Sequence, residues 1–432
     1  MNRPLVETIE LEPQMKLAIL SWPWTVLGSN AWKAVSAPGR MDFLNTHQDY
    51  KGLPVIPAAV SLRTYAFGKT LERRIVKVKS IDLMREGKEF EDEFELNKKV
   101  AILKRGWFGN YFRGVIRSLL RRVEPSKVRG LEVVVRSQVP IGSGLSSSAA
   151  LEVSIAKLID HMNHLDLSLR EIAEIAFEAE NRDVRIPCGR LDQYSSAFGG
   201  LILLNTREPY EILRMKHKGL LFVVVDSGIR HFTGEIHPQR QRETNLALIE
   251  LLEIVPKQLR GKLGERYDEV RWEEISEDEL SPFLEGLEPV LRNRIRFTLR
   301  MQASTNGGLA LLKNRRVKIS SLGFLERSQL HSILKASGGR WLQAIGEIMN
   351  YQHTLLRDLY DVSHPKLETI HQSMLNSGAL GVKISGAGLG GALIALVPNS
   401  AIGRKVVKRA LEAGASKAWI TKVGTGVRVE VG

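Results

Sequence analysis

A mixed α and β protein with room for two domains is what the sequence predicts, on three observations. The chain has 432 residues, long enough for two domains with substantial cores. Apolar runs at 131–135, 220–225 and 392–397, the first two rich in valine, read as strands. Helical stripes stand between them: Ala149, Ala150, Leu151, Val153, Ile155, Ala156, Leu158 and Ile159 form one, and Ile172, Ile175, Ala176 and Ala179 another.

Composition sets the class. At 43% hydrophobic and 25% charged residues the chain is an ordinary globular protein. The net charge of +14 comes from basic residues dispersed among acids, with only short runs such as Arg121-Arg122 and Arg315-Arg316. No zinc-ligand spacing or aromatic RNA-binding box accompanies them, so the expectation is a solvated basic surface that attracts anionic nucleotides, with no nucleic-acid partner. An apolar patch at 17–27 is interrupted by Pro23, is too short to cross a membrane and lacks a secretory cleavage pattern. The single cysteine, Cys188, excludes an intramolecular disulfide and fits a reducing compartment. A cytoplasmic protein without a membrane partner is expected; the sequence leaves the oligomeric state open.

The chain is organised around 139–153, where the strand at 131–135 passes through a glycine-serine loop into a helix. Backbone N–H groups at a helix start lack intrahelical partners, and the helix dipole favours negative charge there. Gly142 and Gly144 let the backbone close on a phosphate, and Ser146, Ser147 and Ser148 add hydroxyl donors and a hard oxygen for Mg2+. The bland alternative is a helix N-cap with spare serines. The run of two glycines and three serines favours the phosphate reading. From Pro140 through Ser143 and Leu145 to Ala149, the stretch resembles the phosphate loop of the GHMP kinases, Pro-x-x-x-Gly-Leu-x-Ser-Ser-Ala. These include galactokinase, homoserine kinase, mevalonate kinase and phosphomevalonate kinase.

Taken in order, residues 1–34 carry no motif, and Trp22, Trp24 and Trp32 are expected to pack this extension onto the first domain. At 36–60, Arg40, His47 and Asp49 fall within ten residues on a segment rich in Pro and Gly, a pattern shared by functional loops and by polar surface turns. Pro38, Gly39, Arg40, His47, Asp49 and Tyr50 resemble the galactokinase signature, Pro-Gly-Arg-Val-Asn-Leu-Ile-Gly-Glu-His-Thr-Asp-Tyr. That resemblance places Arg40 beside the reacting oxygen and His47 and Asp49 on sugar hydroxyls. The signature's sugar-binding Glu is Thr46 here. The Gly68-Lys69-Thr70 tripeptide is not a Walker A loop, because Arg63 stands where a glycine is required. Residues 84–106 read as a charged, exposed segment.

Ser168 and Glu171 form a capping box opening the next helix, which ends near Glu180 and Asn181. Ala179-Glu180-Asn181 and Pro187-Cys188-Gly189-x-x-Asp192-Gln193 again resemble galactokinases. The resemblance makes Asp192 the catalytic base, Glu180 a magnesium ligand with Ser148, and Gly189 part of the sugar site. Read without it, Asp192 suits an N-cap as well as a base. Cys188 has no activating partner and is expected to line the pocket. The stretch from Asp226 to His231 resembles the family's Asp-Ser-x-Val-Arg-His, and alignment on Pro238, Arg240 and Arg242 puts His237 where a sugar-contacting tyrosine usually stands. Residues 245–345 are broadly helical, and 341–367 read as packed helices. Gly386-x-Gly388-x-x-Gly391 formally matches a dinucleotide fingerprint, but a short β-like run and Pro398 follow it where that fingerprint needs a helix. It is therefore a glycine turn between strands, similar to the third GHMP motif, which approaches the phosphate loop. Residues 419–431 alternate as one closing strand.

Together these segments imply an α+β, two-domain GHMP kinase fold, with domains at 1–212 and 213–432 and the active site in the cleft between them. The implied activity is transfer of the ATP γ-phosphate, with Mg2+, to the anomeric hydroxyl of galactose or a related sugar. Thr46 and His237 open the alternative of a uronic acid acceptor. A sugar-sensing regulator without catalysis is a further alternative, disfavoured by the intact serine run, Arg40 and Asp192.

Overall fold

The computed structural model describes residues 32–97, 99–230, 233–336 and 339–431. Trp22, Trp24, His231 and the apolar patch at 17–27 lie outside them. Trp32 is buried against Ala34, Tyr65 and Phe67, as expected of that ring.

Two sheets carry the fold. The larger has eight strands: β1 (Lys33–Leu44), β2 (Ile56–Leu71), β3 (Ile75–Ser80), β4 (Glu91–Glu95), β5 (Gly130–Ser137), β6 (Leu201–Leu204), β7 (Ile212–Met215) and the last strand, β12 (Arg428–Val431). Their order is β12-β1-β2-β5-β3-β4, with β6 joining β2 to β7. All pairings are antiparallel except β3 with β5. The smaller sheet is β11-β8-β10-β9, from β8 (Leu221–Asp226), β9 (Gly381–Ser385), β10 (Ala392–Leu396) and β11 (Lys417–Lys422), all antiparallel. The first sheet thus takes in β7 and β12, which run beyond residue 212.

The apolar runs have a simple cause. In β8, Phe222 and Val224 face a core shared with Met41 and Phe43 of β1, while Val223 and Val225 face helices 340–358, 365–376 and 400–412 on the other side. In β10, Ile394 and Leu396 go one way and Leu393 and Ala395 the other. Alternate residues point to opposite faces, so a sheet covered on both faces needs apolar residues at every position. Phe43 meets Phe222 edge to face at 5.2 Å, which ties the two sheets together. The helices Gly109–Arg122, Ser147–Asn163 and Leu169–Glu178 pack with the larger sheet in a separate core, and the capping box of Ser168 and Glu171 is present. Residues 247–299 form a helical satellite core around Trp272.

Two expectations change. Residues 419–431 are not one strand: β11 ends at Lys422, and after Gly424 and Gly426 the chain crosses to the other sheet as β12. The break falls where the alternating pattern meets glycines, which the chain uses to change sheets. Segment 84–106 is not wholly exposed. β4 pairs with β3, which turns Phe94 inward, and Leu96 and Val100 join the same core. Asp92 of β4 forms a bidentate, buried ion pair with Arg113. Among the described residues no helix is long and apolar enough to cross a membrane.

Candidate active site

A cavity of about 290 Å3 opens where β1, the loop after β5 and the glycine turn between β9 and β10 meet. The pairing of β1 with β2 slips between Pro38 and Arg40 and again between Met41 and Leu44. Such irregularities re-aim side chains beside sites. Arg40, on the cavity wall, donates from Nε to Asp192 Oδ1 at 2.7 Å and from Nη1 to the Gly144 carbonyl at 2.6 Å. The same Nε lies 2.9 Å from Asp42 Oδ1. Burial alone would lower the guanidinium pKa, but Asp192 and Asp42 outweigh it and raise it.

Asp192 is the second residue of the helix Leu191–Phe198, whose cap position is Arg190, so it does not act as the N-cap. Its Oδ2 accepts from Ser146 Oγ at 2.5 Å. Ser146 precedes the helix Ser147–Asn163 with φ 55° and makes no side-chain cap bond. The serine is therefore spent on the carboxylate, and the helix start keeps donors for an anion. Gly142, Gly144, Ser146, Ser147 and Ser148 line the cavity. Pro140, Ser143 and Leu145 shape the loop behind it: Ser143 Oγ donates to the Pro140 carbonyl at 2.8 Å, and Leu145 is buried in the shared core. Gly144 has φ 77°, and a Cβ there would stand 2.8 Å from the Ser385 carbonyl, so the glycine turn can approach only because this residue is glycine.

Glu180 sits in a π-turn, Ala179–Asp183, that continues the preceding helix. Its Oε2 accepts from Gln193 Nε2 at 2.7 Å, and the Ser148 hydroxyl also bonds to it. Burial, then the nearby Asp192, pushes its pKa up to about 7. Glu152, one turn beyond Ser148, is fully buried, and its Oε1 has no hydrogen-bond partner among the described residues. Burial beside Glu180 pushes its pKa well up. Cys188 lines the cavity, and burial pushes its thiol up, unlike an activated nucleophile.

Thr46, His47, Asp49 and His237 also line the cavity. Thr46 Oγ1 accepts from Lys383 Nζ at 2.6 Å. His47 has φ 64°; its Nε2 lies 3.1 Å from the Ala387 carbonyl and therefore carries the proton, and its Nδ1 lies 3.3 Å from the Tyr50 hydroxyl. Burial and the neighbouring His237 keep His47 neutral. The Asp49 carboxylate lies against Gly189, where any Cβ would collide with it at 1.7 Å. Gly189 thus makes room for Asp49. Burial, with Asp192 and Asp42 next, raises Asp49 to about 7. The His237 ring is 5.0 Å from that of His47; neither of its nitrogens has a partner among the described residues, and burial lowers its pKa to about 4.

The structure brings the expected polar residues to one cavity and adds four neighbours: Asp42, Glu152, Gln193 and Lys383. Lys383 was legible as a lone charge inside the apolar run Val382-Lys383-Ile384, and Glu152 as a carboxylate four residues after Ser148 on one helix face. Asp42 carried no pattern of its own.

Comparison with known proteins agrees with this architecture. The GHMP kinase N-terminal domain matches residues 110–200, the GHMP kinase C-terminal domain 333–417, and the galactokinase galactose-binding signature 26–70. Galactokinase from Roseiflexus sp. (strain RS-1) is 31% identical over 376 residues, 85% of this chain and 84% of that protein. Galactokinase from Chloroflexus aggregans is 31% identical over 376 residues, 86% of this chain and 85% of that protein. The structure of Lactococcus lactis galactokinase with galactose superposes with a TM-score of 0.75 at 24% identity, covering 96% of this chain and 99% of that one. Methanococcus jannaschii mevalonate kinase has the same fold, with a TM-score of 0.62 at 18% identity over 90% of this chain and 98% of that one. With these matches across a two-sheet fold whose phosphate-type loop opens on the cleft, the chain belongs to the GHMP kinases. Within them it is a galactokinase-like sugar kinase.

Proposed function

We propose that this protein transfers the γ-phosphate of ATP to the anomeric hydroxyl of galactose or a related sugar. The observation that carries this reading is the Asp192 carboxylate, held between Arg40 Nε at 2.7 Å and Ser146 Oγ at 2.5 Å at the mouth of the glycine-serine loop. Phosphoryl transfer asks mainly for positioning and charge stabilisation. The 142–148 loop supplies backbone and hydroxyl donors for the β- and γ-phosphates. Asp192 takes the proton from the sugar hydroxyl as that oxygen attacks phosphorus, and Ser146 and Arg40 fix the direction of its lone pairs. Arg40 reaches both the base and the Gly144 carbonyl, so its charge lies where the transferring group passes. His47 and Asp49, which line the same cavity, orient the sugar.

The residues present suit a magnesium ion. Ser148 and Glu180 offer only hard oxygens, and the buried, unpartnered Oε1 of Glu152 adds a third oxygen behind them. When bound, Mg2+ would offset the charge of the phosphates. The domains proposed are 1–212 and 213–432, with β12 returning to the first sheet.

The test is product identity. Incubation with Mg2+–ATP and galactose or a relative should give a sugar phosphate whose phosphorus couples to the anomeric proton in 31P NMR. Phosphate on any other carbon would contradict the assignment of Asp192 to the anomeric oxygen.

A further inference from the structure

Lys383 is fully buried, and its ammonium donates to three oxygens: the Asp42 carbonyl at 2.8 Å, Thr46 Oγ1 at 2.6 Å and the Ile384 carbonyl at 2.9 Å. An ammonium has three donors and no acceptor, so this set uses it completely. It also fixes the sense of the Thr46 hydroxyl. That oxygen receives a proton from Lys383, and its own proton must go elsewhere. No acceptor takes that proton among the described residues, and Thr46 is on the cavity wall. With Lys383 protonated, Thr46 therefore presents a donor to the ligand, with a buried cation directly behind it. Burial and Arg40 lower the Lys383 pKa to about 7, and the neighbouring Asp42 carboxylate is the charge that holds it up. Asp42 is tied to Arg40 and to the Gly386 amide at 3.0 Å, and Asp49 lies at the Gly189 side of the cavity.

A donor backed by an ammonium is poorly used by a sugar hydroxyl, which can itself donate. It is best matched by a group that only accepts and carries negative charge. Such a group, bonded to Thr46, would sit about 5 Å from the Lys383 ammonium, two hydrogen-bond lengths away. Resting on the sugar-kinase reading above, we propose that the Lys383–Thr46 pair is a specificity device for a sugar acid: the acceptor is a uronic acid whose carboxylate takes the Thr46 proton. His237, whose ring lies 5.0 Å from that of His47 and whose nitrogens are both unpartnered among the described residues, also lines the cavity and offers a second donor to that carboxylate.

The test is ADP release with Mg2+–ATP across galactose, N-acetylgalactosamine, galacturonate and glucuronate, for the wild type, Thr46→Val and Thr46→Glu. Valine keeps the shape and removes the donor; glutamate pairs with Lys383 and replaces the donor by an acceptor. The wild type should use one uronate with kcat/KM at least tenfold above galactose. That ratio should fall about tenfold in Thr46→Val and invert in Thr46→Glu. Turnover of galactose or N-acetylgalactosamine above both uronates, with ratios that Thr46→Val leaves unchanged, would overturn the proposal and leave the kinase reading standing. Absence of sugar-dependent ADP release with all four sugars would overturn the kinase reading itself, and the proposal with it.

Discussion

The two walls of the cleft are built on different terms. On the side proposed to take phosphate most functional groups are tied to one another: Arg40 holds Asp192 and the Gly144 carbonyl, Ser146 holds Asp192, and Gln193 holds Glu180, with Glu152 Oε1 the exception. On the side proposed to take the sugar His237 has both nitrogens unpartnered among the described residues, and Thr46 has a proton to give. The first wall is set before any ligand arrives, because charge that develops in a transition state is stabilised best by groups that need not reorganise. The second wall keeps hydrogen-bonding capacity in reserve, so its identity depends on the ligand that satisfies it. The contrast predicts that substitutions on the phosphate wall change turnover or its metal dependence, while those on the sugar wall change affinity for the sugar.

The largest expected effect is at Arg40. Arg40→Met should lower kcat by roughly 100- to 1,000-fold, the range for removing one preorganised charge stabiliser. Steady-state kinetics checks this, with circular dichroism confirming the fold. Near-normal turnover would break the contrast on its strongest side. Next comes the proposed metal site. Glu180→Gln should raise the Mg2+ concentration for half-maximal rate by about tenfold while saturating Mg2+ restores much of the rate. A magnesium titration of ADP release reads it.

On the sugar wall the effects are smaller and of another kind. His237→Ala should raise KM for the sugar about fivefold and leave kcat nearly unchanged, the loss of about one hydrogen bond. A fall in kcat without a change in KM would move His237 to the catalytic wall. The smallest effect concerns stability and pH. Asp49 is raised from an ordinary 3.8 to about 7 by burial and its acidic neighbours. A carboxyl with a raised folded pKa contributes stability that is complete below its unfolded value and is lost as pH rises through the folded value. The Asp49 contribution should therefore disappear between about pH 4 and pH 7. Asp49→Asn, which has no charge to bury, should show a smaller drop in Tm from pH 5 to pH 8 than the wild type. Thermal denaturation of ligand-free protein at the two pH values tests this, and equal drops would contradict it.

Much of this could be read from the sequence where one residue's chemistry suffices. The glycine-serine loop was legible because only glycine permits the approach of Ser385 at Gly144 and only a helix start leaves free N–H groups. The strands of the smaller sheet were legible because both faces are covered, which forces continuous apolar runs. The closing segment was misread as one strand because alternation continues through a change of sheet; pattern reports which residues are half-buried, not which sheet receives them. Phe94 was hidden in a charged segment because pairing of β4 with β3 buries only that one of its side chains. Lys383 and Thr46 were 337 residues apart in the chain, so their bond could not be seen before the fold joined β9 to the loop after β1.

The central claim is that Asp192 acts as the base within a prebuilt phosphate wall. The direct measurement is sugar-dependent ADP release by Asp192→Asn beside its ATP affinity by calorimetry. Asparagine keeps the size of the side chain and an oxygen for Arg40, so ATP binding should stay within about threefold of wild type while turnover falls at least ~100-fold. Turnover near the wild-type value with ATP still bound would remove Asp192 from the reaction and contradict this account of the site.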